Sequence, residues 1–345
     1  MDRGSLSYSH PVRKRTMHDS TTIPRRRAIL VAAFMLAAVL PASVRAAETY
    51  PVRPIRVIIP FGAGGGADLV GRLIASHLSD RLGKQLVPDN RTGAGGVIGT
   101  DIASKATPDG HTLLFVPASF TMQPSLQKLP YDPVKAFTPI ARVGKGSFVL
   151  VVTPSLPAQT MKEFIAHVKQ NPGKLFFGTA GAGSSAHLFI ELFKLMADVD
   201  FNVVHFKGGG QQVADLLGAH SHGTMISLPA VRAHIASGKL KALATTASER
   251  TVFLPDVPTL AEAGVPGYNA IVWWGMLTPT GTPDAVIRRL DSEIKNVLAL
   301  DTVKKLLGNQ GVEAHYQGSA DFKVYIASEM RSWARVVEKG NIKLR

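Results

Sequence analysis

The sequence contains no cysteine among its 345 residues. This absence excludes a disulfide framework, cysteine-ligated zinc, iron–sulfur clusters and cysteine nucleophiles. The chain also lacks the G-x-x-x-x-G-K-[ST] loop that holds nucleotide phosphates and the G-x-S-x-G elbow of serine hydrolases. His220 and His222 lie two residues apart without a carboxylate beside them, so we predict no metal site. We predict no cofactor either, and these absences together argue against an enzyme.

The positive charge of the chain is scattered and forms no binding stripe. The formal net charge is +14, and residues 1–46 contain eight of the Lys and Arg residues against two Asp. Beyond residue 46 the basic residues stand singly on predicted helix faces, without the interleaved aromatic residues that bind nucleic acids. We therefore interpret the charge as a solvated basic surface and predict no nucleic-acid partner.

The first 46 residues have the order of an export signal. Residues 25–27 are arginines, residues 28–40 are an unbroken apolar run, and mainly small residues follow up to Ala46. This order is typical of a secretory signal peptide, and the apolar run is shorter than the ~20 residues that span a bilayer. We predict cleavage near Ala46 and a periplasmic mature protein without a later membrane span. The choice between general and twin-arginine export, and between Met1 and Met17 as the start, stays open.

Short apolar runs alternate with helical patterns along the rest of the chain. Short β-branched or apolar runs predict buried strands, and apolar residues spaced three or four apart predict amphipathic helices. The predicted strands are residues 55–60, 85–88, 113–116, 148–152, 175–178, 203–206 and 240–245. The predicted helices are residues 67–82, 161–170, 186–196, 211–217, 284–300 and 319–339. This alternation predicts an α/β fold with mainly parallel sheets.

Four glycine-rich turns each connect a predicted strand to a helix. In chain order we call them the first turn (62–67), the second turn (91–96), the third turn (178–186) and the fourth turn (207–211). A helix amino terminus presents unpaired N–H groups and a partial positive charge, and glycine lets an anion approach that backbone. Ligands of open α/β sheets lie at the carboxyl ends of strands, where the first and third turns, one from each lobe, occur. We therefore predict a cleft between two lobes in which the turns bind a carboxylate or phosphate.

Side chains of the turns extend this anion-binding hypothesis. Thr179 and Ser184 carry hydroxyl donors, while Asp68 either contacts the ligand or caps the first helix, with the capping role favoured. For each turn alone, a tight connection without a ligand is the simpler interpretation, whereas four such turns favour a site. From the second and fourth turns the candidate ligand contacts are Gly93, Ala94, Lys207 and Gly208.

Two enzyme interpretations compete with this hypothesis. The first turn matches the G-x-G-x-x-A pattern of dinucleotide-binding proteins, with Asp89 at a suitable distance, but the pattern is weak in a glycine-rich chain. Ser184 and His187 suggest a serine hydrolase. However, they lie three residues apart on one helix turn, which favours two residues on the same helix face over an aligned nucleophile and base. Trp273 and Trp274 are equally compatible with a ligand-cleft wall or hinge and with core packing.

The ordered motifs of the mature chain carry a family resemblance. They are YPVRPIR at 50–56, PFGAGGGAD at 60–68, NRTGAGG at 90–96, PDGHTLL at 108–114, YDP at 131–133, FTPI at 137–140, GTAGAGS at 178–184, VHFKGGG at 204–210, PDVPT at 255–259 and PTGTP at 279–283. Each motif is weak alone, whereas their order and spacing are specific. With them, nearly the whole mature chain resembles the tripartite tricarboxylate transporter substrate-binding receptors, the Bug or TctC-like family.

This resemblance implies a two-lobed, periplasmic-binding-protein-like fold (type II-like) that closes around a carboxylate, often through bridging waters. It also implies docking to the large and small subunits of a membrane permease, and we expect a monomer. The ligand contacts that it carries over are Phe61, Ala63, Gly64, Gly65 and Asp68 around the first turn, and Thr179, Ala180, Gly183, Ser184 and His187 around the third. The predicted function is capture of a small carboxylate for uptake. A periplasmic enzyme acting on a small anion and a ligand-sensing partner of a signalling protein are the alternatives.

One stretch departs from the family pattern. Where the family usually reads G-G-x-V-D-x-M-F-D, residues 218–226 read GAHSHGTMI, so His222 and Ile226 replace two aspartates. Without these carboxylates a ligand ammonium group loses a partner, whereas a ligand without an amine loses nothing. We expect a non-amino carboxylate with an aromatic or branched body, unless both positions lie outside the cleft and only adjust packing.

The two lobes are predicted to be discontinuous in sequence. Lobe 1 consists of residues 47–149 and 273–345, and lobe 2 consists of residues 150–272. A ligand that touches both lobes would stabilise the closed state by its higher affinity for that state.

Overall fold

The computed structural model describes residues 50–344 of the chain. The predicted signal peptide at residues 1–46 and its cleavage near Ala46 lie outside this range and remain predictions. Within the described part of the chain, no helix combines the length and the apolar character needed to cross a bilayer.

Strands and helices alternate over residues 50–344. The strands there are β1 (Ile55–Ile59), β2 (Leu86–Asn90), β3 (Thr112–Pro117), β4 (Phe137–Val152), β5 (Phe176–Thr179), β6 (Asn202–His205), β7 (Gly223–Ser227), β8 (Lys241–Thr245), β9 (Ile271–Pro279) and β10 (Glu313–Gly318). The α-helices there are α1 (Gly66–Leu82), α2 (Val97–Ser104), α3 (Ser119–Met122), α4 (Met161–Gln170), α5 (Ser185–Ala197), α6 (Gly209–Leu217), α7 (Leu228–Ala236), α8 (Asp284–Ala299), α9 (Asp301–Asn309) and α10 (Ser319–Lys339).

Helix α4 shows how local sequence sets these elements. Thr160 precedes the helix, and its hydroxyl accepts a hydrogen bond from the N–H of Glu163 at 3.2 Å. Such a cap satisfies one of the N–H groups that a helix start leaves unpaired. Met161, Phe164 and Val168 then recur at helical spacing and are the buried face. The predicted helix at residues 161–170 is therefore confirmed in type and in both bounds.

Two groups of strands share one long strand. The first group pairs β2, β1, β3 and β9 in that order, and the second pairs β6, β5 and β7. Strand β4 joins them, because its residues up to Ser147 pair with β9, while from Phe148 onward it pairs with β7 and β8. The division into lobes near residues 149 and 273 stays a prediction, although the pairing partners of β4 change close to the first of these positions.

The prediction of mainly parallel sheets is wrong. The pairs β1–β2, β1–β3, β5–β6 and β5–β7 are parallel, whereas every pair that involves β4 or β9 is antiparallel. The chain crosses between the two groups and returns, and the returning strand β9 runs against both of its neighbours. A buried strand of either direction reads as the same apolar run, so sequence periodicity does not distinguish them.

Candidate functional site

The first and fourth turns touch through their backbones. A Cβ atom on Gly208 would stand 2.8 Å from the Cα of Gly62, and one on Gly209 would stand 2.8 Å from the Cα of Gly65. Side chains at positions 208 and 209 would therefore push the two turns apart. These glycines permit close packing of backbone on backbone, in addition to any role towards an anion.

The second and third turns also touch, and a glutamine side chain joins them. Gln123 is buried, and its Nε2 donates hydrogen bonds to the carbonyls of Gly95 at 3.0 Å and Gly183 at 2.8 Å. Gln127 donates to the Oε1 of Gln123 at 2.7 Å, which fixes the orientation of the amide. The sequence analysis missed Gln123, which stands outside every glycine motif.

Three of the four turns are closed by the same hydrogen bond. A turn N–H donates to the side chain four residues further on: Gly64 to Asp68 Oδ2, Gly183 to His187 Nδ1 and Lys207 to Gln211 Oε1, each at 3.0 Å. Gly64 and Gly183 both have a left-handed backbone, with φ of 77° and 75°. The N–H groups of these two glycines are thus used inside the protein, and neighbouring N–H groups are the ones left to meet a ligand.

Asp68 has a structural role, although it is not the helix cap that the sequence analysis favoured, because Gly65 precedes α1 and α1 has no side-chain cap. Its side chain is almost fully buried, and besides the Gly64 N–H it accepts from Arg72 Nε at 2.8 Å and Asn90 Nδ2 at 3.0 Å. Both carboxylate oxygens are therefore engaged within the first turn and its surroundings. Asp68 positions the turn and does not line the cavity between the turns.

The buried His187 contacts the solvent-exposed His205 behind the third turn. Their ring centroids are 4.8 Å apart, edge to face, and Thr179 Oγ1 lies 2.7 Å from His205 Nδ1. Burial, followed by the nearby His205 and Lys194, lowers the pKa of His187 to about 4, and partial burial lowers the pKa of His205 as well. At neutral pH His187 is uncharged, as its acceptor role towards Gly183 requires.

A small cavity of about 50 Å³ lies where the first, third and fourth turns meet. This volume is on the order of a few water molecules, so the turns must separate to admit a larger solute. None of its lining residues, all within the described part of the chain, carries a charged side chain. They are Phe61, Gly65, Gly66, Ala67, Pro117, Phe148, Ala180, Ser184, Ser185, Ala186, Gly209, Gln212, Ile226, Ser227, Val272 and Trp274.

One side of the cavity is an apolar wall formed by Phe148, Ile226, Val272 and Trp274. Adjacent residues of a strand point to opposite faces, so Trp274 lines the cavity while Trp273 packs in the core against Phe322 and Tyr325. Trp274 is therefore part of the cavity wall, and the core-packing interpretation applies to Trp273.

The other side of the cavity carries hydroxyl and amide groups. Ser184 caps α5, because its Oγ accepts from the N–H of His187 at 3.3 Å. Ser185 and Gln212 are both buried, and neither Ser185 Oγ nor Gln212 Oε1 has a hydrogen-bond partner within the protein. Buried polar atoms are normally paired, so these two are candidates for contact with a ligand.

The cavity brings together only part of the predicted contact set. Phe61, Gly65, Ala180 and Ser184 line it directly. The remaining candidates, which shape the turns or lie beside them without lining the cavity, are Ala63, Gly64, Asp68, Gly93, Ala94, Thr179, Gly183, His187, Lys207 and Gly208. Contact of any of these residues with a ligand remains a prediction.

Gln212 and Ser185 were not recognised from the sequence, although Gln212 carries a usable signal. The buried face of α6 consists of Gly209, Gln212, Val213 and Leu216, so a polar residue occupies a core position of an apolar helical stripe. Such a residue must find a polar partner, either in the protein or in a ligand. Ser185 follows the capping Ser184 and is inconspicuous in a glycine-rich turn.

The two positions that depart from the family pattern lie apart. Ile226 is part of the apolar wall, whereas His222 stacks on Phe176 with ring centroids 6.1 Å apart and accepts from its N–H at 3.1 Å. His222 precedes β7 and Ile226 lies towards its end, so only Ile226 lies at the cavity. The packing alternative therefore applies to His222 and not to Ile226.

Comparison with known proteins agrees with this architecture. Residues 70–342 match the tripartite tricarboxylate transporter family receptor. Protein BugT of Bordetella pertussis is 38% identical over 302 residues, covering 87% of this chain and 93% of BugT. A structure described as a periplasmic transporter has a TM-score of 0.84 and 37% identity, covering 86% of this chain and all of that one. R. palustris Rpa4515, solved with adipate, has a TM-score of 0.83 and 32% identity, covering 85% and 99% of the two chains.

These similarities confirm the α/β fold of the two-lobed, periplasmic-binding class that the resemblance implied. The same similarities argue against the two enzyme interpretations, since the family consists of periplasmic solute-binding receptors and not of enzymes. The match spans most of the described residues, and the chain belongs to the tripartite tricarboxylate transporter receptor family, whose members include the Bug proteins.

Proposed function

We propose that this protein is a periplasmic receptor that captures a small carboxylate and delivers it to the large and small membrane subunits of a tripartite tricarboxylate permease. The observation that carries the proposal is the uncharged cavity where the glycine turns meet. The amino termini of α1, α5 and α6 all reach it through Gly66, Ser185 and Gly209. Helix termini stabilise a carboxylate without a buried basic side chain.

A receptor role also accounts for the contacts between the turns. The first two turns follow strands of one group, and the last two follow strands of the other. A solute bound where they meet touches both groups and favours the closed arrangement by its higher affinity for it. Among relatives, Rpa4515 has been solved with adipate, which supports a carboxylate ligand for this chain. We propose that the exported protein acts as a monomer.

Thermal unfolding of the purified exported protein against a panel of carboxylates tests the proposal. A ligand at 100 times its Kd adds about 2.7 kcal/mol to the free energy of unfolding, which raises the melting temperature by several degrees. Mass spectrometry of the ligand after incubation should recover it unchanged, because a receptor does not transform its solute. Deletion of the gene should abolish uptake of the same compound. Turnover of the ligand, or full uptake without the gene, would contradict the proposal.

A further inference from the structure

The three helix termini at the cavity differ in how much positive charge remains for a ligand. Helix α1 carries Asp68 in its first turn, whereas the first turns of α5 and α6 contain no acidic residue. The carboxylate of Asp68 already offsets the partial charge at the start of α1. A second carboxylate is therefore better stabilised at the start of α5, where the nearby His187 is neutral.

The start of α5 also carries a hydroxyl group without a hydrogen-bond partner. Ser185 is 4% exposed, its Oγ has no hydrogen-bond partner, and it lines the cavity at the first residue of α5. A buried hydroxyl that donates to nothing is unfavourable, and a carboxylate oxygen is the acceptor that removes this cost. The start of α5 thus offers both N–H groups and an O–H group to one carboxylate.

The side-chain oxygen of Gln212 can accept a hydrogen bond from a donor group on the ligand. Its Nε2 donates to Gly178 O at 3.1 Å and also to Thr224 Oγ1, and a flipped amide would set its oxygen against the carbonyl oxygen of Gly178. Its Oε1 is therefore an acceptor without a partner, on a buried residue that lines the cavity. An amide oxygen repels a carboxylate and accepts from an O–H or N–H group.

The apolar wall restricts the rest of the ligand. Phe148, Ile226 and Val272 provide no donor for a second carboxylate, Trp274 adds only a neutral indole N–H, and no residue of the wall provides a counter-charge. Placing a second carboxylate or an ammonium group against this wall removes it from water without a compensating charge. A branched or aromatic body gains contact there instead.

We infer that the ligand is a monocarboxylate with an apolar branched or aromatic body and a hydroxyl group close to the carboxylate. The carboxylate binds at the start of α5 through Ser185, the hydroxyl donates to Gln212 Oε1, and the body packs on Ile226. The hydroxyl and the carboxylate must lie close together, because Ser185 and Gln212 line the same small cavity. This inference rests on the proposed receptor function and narrows it to the apolar hydroxy acids.

Isothermal titration with a matched series tests the inference. The series is 2-hydroxy-4-methylpentanoate, 4-methylpentanoate, 2-oxo-4-methylpentanoate and leucine, with malate and adipate as dicarboxylates. The hydroxy acid should bind at least about tenfold more tightly than each of the others, since only it satisfies Gln212 without a second charge. Equal or tighter binding of the plain acid, leucine or a dicarboxylate would overturn the inference and leave the receptor function standing. Binding of none of the six compounds would count against both.

Two variants separate the contributions of the two contacts. Gln212→Met keeps the length of the side chain and removes the acceptor, so the preference for the hydroxy acid over the plain acid should fall to within about twofold. This ratio is insensitive to a general loss of affinity, because both ligands carry the same body. Ile226→Asp should weaken the hydroxy acid by at least about tenfold and leucine much less, while Ile226→Leu serves as the control that keeps the wall apolar. An unchanged ratio in Gln212→Met, or unchanged affinity in Ile226→Asp, would contradict the assigned contacts.

Discussion

The first and third turns have the same backbone arrangement but differ in the side chain that accepts the hydrogen bond closing the turn. In each, a left-handed glycine donates its N–H to the side chain four residues later, at 3.0 Å. The first turn uses the carboxylate of Asp68, which also binds Arg72 and Asn90. The third uses the imidazole of His187, which accepts this bond only while Nδ1 is unprotonated.

The comparison shows how one local geometry serves two electrostatic purposes. A carboxylate holds the first turn firmly but occupies the positive end of α1 with a protein charge. A neutral imidazole holds the third turn and leaves the positive end of α5 available to a ligand. The asymmetry therefore leaves the start of α5 better suited to an anion than the start of α1.

The largest expected effect is an acid sensitivity of the third turn. The pKa of His187 is about 4 in the folded protein against an ordinary value of 6.5. The unfolded chain binds this proton first, so the stability is complete above about pH 6.5 and is lost as the pH falls towards 4, by about 3 kcal/mol at most. Urea unfolding between pH 7 and 4 measures the decrease. It should be smaller in His187→Gln, and an identical decrease in that variant would assign the sensitivity to other groups.

Gly208→Val should separate the first and fourth turns while each strand group stays folded. Gly208 has an extended backbone with φ of 166°, so valine is not strained there, but its Cβ would stand 2.7 Å from the N of Gly62. We expect about 100-fold weaker ligand binding, equivalent to about 2.7 kcal/mol, in a titration with the ligand that the thermal screen identifies.

Gly62→Ala is the matched control for this contact. The added Cβ would lie 3.4 Å from its nearest neighbours, which is ordinary packing distance, so the affinity should change little. Retention of full affinity in Gly208→Val would show that the turns need not touch in the bound state.

The smallest effect is expected from amide substitutions of the two acceptors, Asp68 and His187. Asp68→Asn leaves one acceptor oxygen where three donors converge, and we expect a loss of about 2 kcal/mol in the free energy of unfolding. His187→Gln still offers an acceptor to its single donor, so at pH 7 the loss should stay below about 1 kcal/mol. Urea titration of both variants measures the difference, and equal losses of unfolding free energy would refute the proposed distinction between the two acceptors.

The sequence predicted the type and order of most elements around the site. Helices α4 and α10 were predicted with the bounds that the structure has, and the four turns were correctly placed between strands and helices. Strand direction was not predictable, because β9 is buried and antiparallel yet reads as the same apolar run as a parallel strand. Strands β9 and β10 and helices α3, α7 and α9 were missed: β10 has no fully buried residue, α3 is four residues long, and α9 follows α8 after a single residue.

The site was predictable in its backbone and less so in its side chains. Glycine spacing located the turns, but which turns touch depends on long-range packing that no local pattern records. Gln123 and Trp274 approach the site from elements outside the glycine motifs, and Ser185 is one serine among several. Ile226 was detectable only because it interrupts a family pattern that usually carries an aspartate.

The strand that both groups share also sets the order in which the chain completes its fold. Strand β3 needs β9 at its side, with Leu114 opposite Leu277, and the first part of β4 pairs with β9 and β10. These partners are synthesised long after β3, whereas the strands of the second group follow one another within residues 148–245. Contacts that are distant in sequence form slowly. The first group to emerge from the ribosome or the export channel is therefore the last to be finished, and its β3 edge stays open until nearly the whole chain has arrived.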